Sequence, residues 1–211
     1  MEKPEIEIHG LVVGPIQTNC YFVKNKMTGE GFLVDPGDEP KHLLRQIESE
    51  KMNLRAILLT HGHYDHILAV NDIKAACPDC QVMILDKEKP MVEDQSLNSG
   101  IGGYDYTFSP DRYVTDGEEL QIADMFIRVY ATPGHTAGSA CYYLPDYGIL
   151  FSGDTIFQNS YGRTDLPTGS EKDLWESLHK ILGNLPEETR VCPGHGGLST
   201  VGREAEYEGI L

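Results

Sequence analysis

The segment Thr60-His61-Gly62-His63-Tyr64-Asp65-His66 places three imidazoles and one carboxylate within six residues. Imidazoles crowded this closely repel one another's protons and lose hydration when buried. A bound cation makes such a cluster favourable, and histidine is the commonest transition-metal ligand. His61 and His63 are two apart, so at an extended strand end their side chains emerge on one side. Gly62 between them lets the backbone turn tightly. Asp65 and His66 fall at a helix start, where the carboxylate caps backbone N–H groups or turns toward a metal. Further candidate ligands are His135 in Thr132-Pro133-Gly134-His135-Thr136, Asp154 in Phe151-Ser152-Gly153-Asp154-Thr155, and His195 in Cys192-Pro193-Gly194-His195-Gly196. Each follows a glycine, which permits close backbone approach to a crowded site. Seven donors exceed the needs of one four-coordinate zinc and suit two metals about 3.5 Å apart. A carboxylate can bridge two cations and a neutral imidazole cannot. Asp154, which stands apart from the dense cluster, is the better bridging candidate. Histidine and aspartate ligands accept zinc, iron or manganese, with zinc the first expectation.

These residues need elements to carry them. Residues 6–13, 19–23 and 31–34 read as strands, the last stopped by the turn sequence Asp35-Pro36-Gly37. Leu43, Leu44 and Ile47 give residues 39–52 a helical spacing. Residues 54–60 form a continuous apolar run, as in a strand buried on both faces. A helical pattern follows over 65–77 and a strand over 81–85. Strand and helix alternate from 31 to 85, which predicts a parallel sheet with helices outside. Residues 87–116 are polar and glycine-rich, read as a long functional or mobile connection. Tyr104, Tyr106 and Phe108 within it suit a lid over a substrate or packing of the loop onto the body. Strands are expected at 119–122, 126–131, 139–144 and 148–151, with a hairpin turn at Pro145-Asp146. An amphipathic helix follows at 170–182 and a last strand at 189–192. The expectation is one domain over 1–211, with two sheets in the middle and helices outside.

The ordered motifs THGHYDH, TPGHTAGS, FSGDTIF and PGHG resemble the metallo-β-lactamase superfamily, from about Asp35 to His195. Within it the chain is similar to the glyoxalase II (hydroxyacylglutathione hydrolase) group, especially its short bacterial members. Tyr161-Gly162-Arg163-Thr164-Asp165-Leu166-Pro167 and the tail after Pro193 match those members. The resemblance implies an α/β fold, a four-layer αβ/βα sandwich with metals at one sheet edge. It implies that His61, His63 and His135 bind one metal, that Asp65, His66 and His195 bind the other, and that Asp154 bridges them. A hydroxide held between the metals, oriented also by Asp65, would attack a thioester such as S-lactoylglutathione. Asp65 and Asp154 are thus the catalytic candidates, and Arg163 and Tyr161 the substrate contacts. The C-terminal helical extension by which longer glyoxalase II enzymes grip glutathione is not expected here, since Leu211 follows His195 by 16 residues.

The same motif serves other chemistries. Persulfide dioxygenases share a GRTD segment and hold one iron through two histidines and one aspartate, here matching His61, His135 and Asp154. The PGHG tail leans toward the hydrolase. A β-lactamase is less expected, for no secretory signal is visible and Asp154 suits a bridging carboxylate those enzymes lack. A non-catalytic metal module is disfavoured because structural zinc sites are closed and cysteine-rich. Lys plus Arg is 17 and Asp plus Glu is 33, a net charge of −16. That field repels phosphate backbones and anionic lipid, so phosphodiesterase or nuclease action, and nucleic-acid or membrane partners, are not expected. The partner expected is a small-molecule thioester; oligomeric state leaves no signal in the sequence. Five cysteines and no visible secretory signal suit the cytoplasm. Cys77 and Cys80 read as structural thiols at a helix end, and His42 and His179 as solvated helical residues.

Overall fold

The computed structural model describes residues 3–98 and 106–210. Its first sheet has six strands in chain order: β1 (Ile6–Val13), β2 (Thr18–Asn25), β3 (Glu30–Val34), β4 (Asn53–Leu58), β5 (Gln81–Leu85) and β6 (Arg112–Val114). β3 through β6 are mutually parallel, as the alternation of strands and helices predicts. The second sheet runs β14 (Ser199–Thr200), β13 (Arg190–Pro193), β10 (Ile149–Gly153), β9 (Ala140–Leu144), β8 (Met125–Ala131) and β7 (Glu119–Ile122). A two-stranded hairpin, β11 (Ile156–Phe157) and β12 (Ser160–Tyr161), projects from it.

Three apolar layers define the stacking. Phe32, Leu58, Ile127, Tyr142 and Phe151 belong to a core between the sheets. The first sheet's other face, with Leu33, Ile57 and Ile84, packs on α1 (Pro40–Ser49) and α3 (Val70–Ala76) through Leu43, Ile47 and Ile73. The second sheet's outer face packs on α6 (Glu171–Leu182) and α7 (Val201–Tyr207) through Leu174, Leu178 and Ala205. Helix, sheet, sheet and helix make the four-layer αβ/βα sandwich. Ser170 caps α6 by accepting from Asp173 N–H, and Thr200 caps α7 from Arg203 N–H. Among the described residues, no helix is long and apolar enough to cross a membrane.

Two expectations change. The helix read over 65–77 is broken into α2 (Tyr64–Ile67) and α3. Ala69 N–H donates to Pro36 O at 3.1 Å rather than back along the helix. The Asp65 carbonyl it abandons is covered by Gly37, where a Cβ would collide with it. The segment 87–116 is also less irregular than its composition predicts. It begins in a 3₁₀ turn (Asp86–Glu88), continues as α4 (Lys89–Glu93) and α5 (Gln95–Asn98), and supplies β6. Phe108 is buried and Tyr106 packs beside it in the layer under α1 and α3, so neither lines the cleft. Tyr104 lies outside the described residues. Cys77 caps α3 and Cys80 is buried beyond it, both free thiols. His42 pairs with Glu39 on the surface, and exposed His179 meets Trp175 O.

Candidate metal centre

The strand directions gather the seven donors. β4 ends just before His61. β8 and β10 both pair antiparallel with β9, so they point the same way, and β13 runs parallel to β10. Their C-terminal ends therefore share one edge, where His135, Asp154 and His195 follow. Hydrogen bonds across the sandwich fasten this edge: Ala140 N–H donates to Thr60 O at 2.8 Å, and Asn19 N–H to Gly194 O at 2.7 Å.

The donors form overlapping groups. His61, His63 and His135 offer ligand atoms within 4.8 Å of one another, as do Asp65, His66 and His195, and His61, His66 and Asp154. His63 Nδ1 lies 2.9 Å from His135 Nε2. His195 Nε2 lies 3.2 Å from Asp65 Oδ2. Asp154 faces both groups: its Oδ2 is 3.5 Å from His135 Nε2 and 3.6 Å from His195 Nε2, and its Oδ1 is 3.4 Å from His66 Nε2.

Four rings are aimed by what holds their other nitrogen. His135 Nδ1–H donates to Arg163 O at 2.7 Å, and His66 Nδ1 meets Asp35 Oδ2 at 2.9 Å. Thr60 gives its hydroxyl proton to Asp35 at 2.6 Å, so its oxygen accepts from His61 Nδ1–H at 3.1 Å. His195 Nδ1–H reaches Gln17 O at 3.3 Å. Each bond fixes a tautomer with the Nε2 lone pair turned inward, the usual outer support of a metal-ligating imidazole. The Nε2 atoms of His61, His63 and His66 and Oδ1 of Asp154 are buried without a hydrogen-bond partner. Buried polar atoms are nearly always satisfied, so this convergence fits divalent cations.

The electrostatics agree. Burial pushes the His61 imidazole well below its ordinary pKa, and His66, His135 and His63 add to the shift. Burial, then His135, takes His63 down to about 3. His66 moves the other way: burial opposes its proton, but Asp65, Asp154 and Asp35 outweigh burial and raise its pKa. Burial likewise resists ionisation of Asp65 and Asp154, yet the neighbouring histidines, His66 foremost, hold both carboxyls below the usual range. A field that holds a proton on a buried imidazole will hold a metal cation there in its place.

Glycines matter here for room. A Cβ on Gly194 would collide with Asp154 Oδ1 and the His66 ring. Gly62 is needed for close approach by α4, since a Cβ would stand 2.8 Å from Met91 Cβ; the turn expected from the sequence is not the reason. Arg163 and Tyr161 both line a cleft of about 670 Å³ over the donors. The Arg163 guanidinium is paired with Asp165 at 2.6 and 2.7 Å.

Sequence reasoning missed three supports. Asp35, read only as part of a turn, accepts from Thr60 N–H as well as from Thr60 Oγ1 and His66. Thr18 Oγ1 donates to Asp65 Oδ2 at 2.9 Å. Glu88, fully buried, accepts from Gly62 N–H at 2.8 Å and Thr136 Oγ1 at 3.1 Å, and also from Gly138 N–H. It thereby ties the loop of His61 and His63 to the loop of His135. Burial, partly offset by these three donors, pushes its pKa up to about 7. In the sequence it is one of several charged residues in the polar run Asp86-Lys87-Glu88-Lys89, indistinguishable from a surface carboxylate.

The fold and the donor edge define a class, and the family model of the metallo-β-lactamase superfamily matches residues 13–195. The chain belongs to that superfamily. It is 37% identical over 202 residues, 94% of each chain, to a Bacillus subtilis (strain 168) protein named probable metallo-hydrolase YqgX. It is 31% identical over 210 residues, 98% of each chain, to hydroxyacylglutathione hydrolase GloC of Haemophilus influenzae. Among solved structures it is similar to BLEG-1 B3 metallo-β-lactamase, with TM-score 0.89 and 40% identity over 95% of this chain and 97% of that one. TTHA1623 in a di-iron-bound form superposes with TM-score 0.84 and 36% identity, covering 96% and 100%.

Proposed function

We propose that the chain is a dinuclear metal-dependent thioester hydrolase acting on small molecules such as S-lactoylglutathione. The observation that carries this is Asp154, one carboxylate facing two donor groups, with its own Oδ1 and the Nε2 atoms of His61, His63 and His66 buried without a hydrogen-bond partner. His61, His63 and His135 would hold one metal, Asp65, His66 and His195 the other, with Asp154 between them. Two divalent ions there would acidify water toward neutrality and polarise a carbonyl oxygen. Zinc suits the set; iron and manganese do too, and the di-iron form of TTHA1623 supports the iron option. The names of YqgX and GloC support hydrolysis and a thioester substrate respectively.

The chain's own groups divide the remaining work. Asp65, held by Thr18, keeps a carboxylate oxygen in the cleft, where it accepts a hydrogen bond from the attacking water and orients it. Arg163 and Tyr161 receive the substrate beyond the donors. The leaving thiol has a pKa near ~8.5, so it departs as thiolate without a strong acid.

Elemental analysis of protein purified without added metal, followed by thiol release from S-lactoylglutathione, tests the proposal. Close to two metals per chain with turnover is expected. One iron per chain with oxygen uptake on persulfides would instead identify a mononuclear-iron dioxygenase using His61, His135 and Asp154. That reading leaves His63, Asp65, His66 and His195 without work. The likeness to BLEG-1 brings β-lactam hydrolysis into the same assay. A higher kcat/KM on a chromogenic cephalosporin than on the thioester overturns the proposal.

A further inference from the structure

We infer that the cleft selects thioesters with apolar acyl chains and uncharged thiol parts over thioesters of glutathione. The inference rests on the thioester-hydrolase reading and concerns what that site admits. Its volume of about 670 Å³ suits a small molecule rather than a polymer.

Four observations point the same way. Apart from the metal-donor candidates, the walls are chiefly Ile16, Phe157, Tyr161 and Leu166. Two of these stand in water at the rim, Ile16 at 47% exposure and Tyr161 at 36%. Exposed apolar groups gathered at a cleft mark a surface that an apolar ligand covers. Secondly, the wall is preformed. Tyr161 packs on Trp175 of α6 with ring centroids 5.4 Å apart, and Phe157 meets the His195 ring edge-on at 6.0 Å. Thirdly, no lysine lines the cleft among the described residues, and its one arginine is already engaged: Asp165 grips Arg163 through two hydrogen bonds. A glutathione moiety carries two carboxylates, and here they would share a single cation with a resident acid. Lastly, the net charge of −16 disfavours approach of a substrate of net negative charge, which an S-acylglutathione carries through two carboxylates and one ammonium.

In the reaction implied, water adds to the acyl carbon and the C–S bond breaks. The sulfur keeps the bonding pair and takes up a proton. A carboxylate, a thiol and one released proton result, with no change of oxidation state.

Two measurements test the inference. The first is binding alone. Trp175 is the chain's single tryptophan and touches the cleft wall, so its fluorescence reports occupancy. Metal-loaded protein is titrated with two uncleavable thioethers, S-hexyl-N-acetylcysteamine and S-hexylglutathione. The neutral thioether is expected to saturate the signal at least tenfold more tightly; equal or tighter binding of the glutathione thioether overturns the inference. The second is kcat/KM on hexanoyl thioesters of the same two thiols, followed by thiol release. A tenfold advantage for the neutral ester is expected, reduced about tenfold by Leu166→Ser and narrowed about threefold by Asp165→Asn, which frees Arg163. Glutathione esters cleaved faster would overturn this inference and leave the hydrolase reading standing. Metal-loaded protein that binds the neutral thioether yet cleaves neither ester would overturn the hydrolase reading and leave the binding preference standing.

Discussion

The two donor groups that share Asp154 are built differently. His61, His63 and His135 form a seat without a carboxylate of their own, aimed by a threonine hydroxyl and a backbone carbonyl. Its loops are fastened from below by Glu88. His61 and His63 are held well below the ordinary imidazole pKa by burial. The second group, Asp65, His66 and His195, leans on charge. Asp35 and Asp65 flank His66, and the His195 side chain is 25% exposed to the cleft. The first seat attracts a cation by preorganised lone pairs, with His61 and His63 uncharged near neutrality. The second attracts by negative charge and must give up protons that its carboxylates favour.

Asp154→Ala tests whether the two seats are joined. Metal content is expected to fall from about two per chain to one or fewer, with both sites losing full occupancy. Retention of two metals by elemental analysis would show that the seats fill independently. Asp35→Ala is next in size. It strips the acceptor from two buried donors of Thr60 and from His66, at a cost of about 4 kcal/mol in urea unfolding of the metal-free chain. A loss under about 1 kcal/mol would mean water replaces the carboxylate.

Glu88→Gln separates position from stability. The folded pKa of Glu88 lies near 7, above the ordinary carboxylate value of ~4.3. The folded state therefore binds this proton more tightly than the unfolded one. That contribution to stability is present in acid and is lost as pH rises from about 4.3 through 7, about 4 kcal/mol in all, of which about 3 kcal/mol is lost above pH ~4.5. Glutamine does not ionise and lacks this loss. The stability difference between variant and parent should shift by about 3 kcal/mol in the variant's favour between pH 4.5 and 8. Yet the carboxamide places an N–H₂ among donors, so metal affinity of the first seat should drop about tenfold at pH 8. A pH-independent stability difference would contradict the account.

The same contrast governs what sequence discloses. His61, His63, Asp65 and His66 lie in one short run, and their types and spacing alone suggest a metal. His135, Asp154 and His195 each stand alone, visible because a glycine precedes them at a strand end. The supports are nearly invisible. Asp35 looks like any turn aspartate, and Glu88 looks like a surface acid until folding brings Gly62, Thr136 and Gly138 around it. The elements follow the same logic. Buried strands such as β4 and β5 read clearly from their apolar runs, and α6 from its periodicity and its Ser170 cap. The split between α2 and α3 does not, because it depends on Pro36 and Gly37 arriving from another loop. β14 and α7 were missed since their apolar positions are few, and the burial of Val201 and Ala205 is decided by packing in the layer they share with α6.

Thr18→Val is the finest probe of the contrast, because it should touch one seat only. The Thr18 hydroxyl is buried and donates to Asp65 Oδ2. Valine keeps the shape, and the backbone bridge between Thr18 and His195 needs no hydroxyl. What is lost is one hydrogen bond to a charged acceptor, about 1.5 kcal/mol, which is about tenfold in affinity. Calorimetric titration of metal into the stripped chain should show the loss in one of two binding steps, that of the Asp65, His66 and His195 seat. The step assigned to His61, His63 and His135 should hold its affinity, because its rings are aimed by Thr60 and Arg163. Equal weakening of both steps would mean that Asp154 transmits strain between the seats, and that the carboxylate couples them rather than merely serving both.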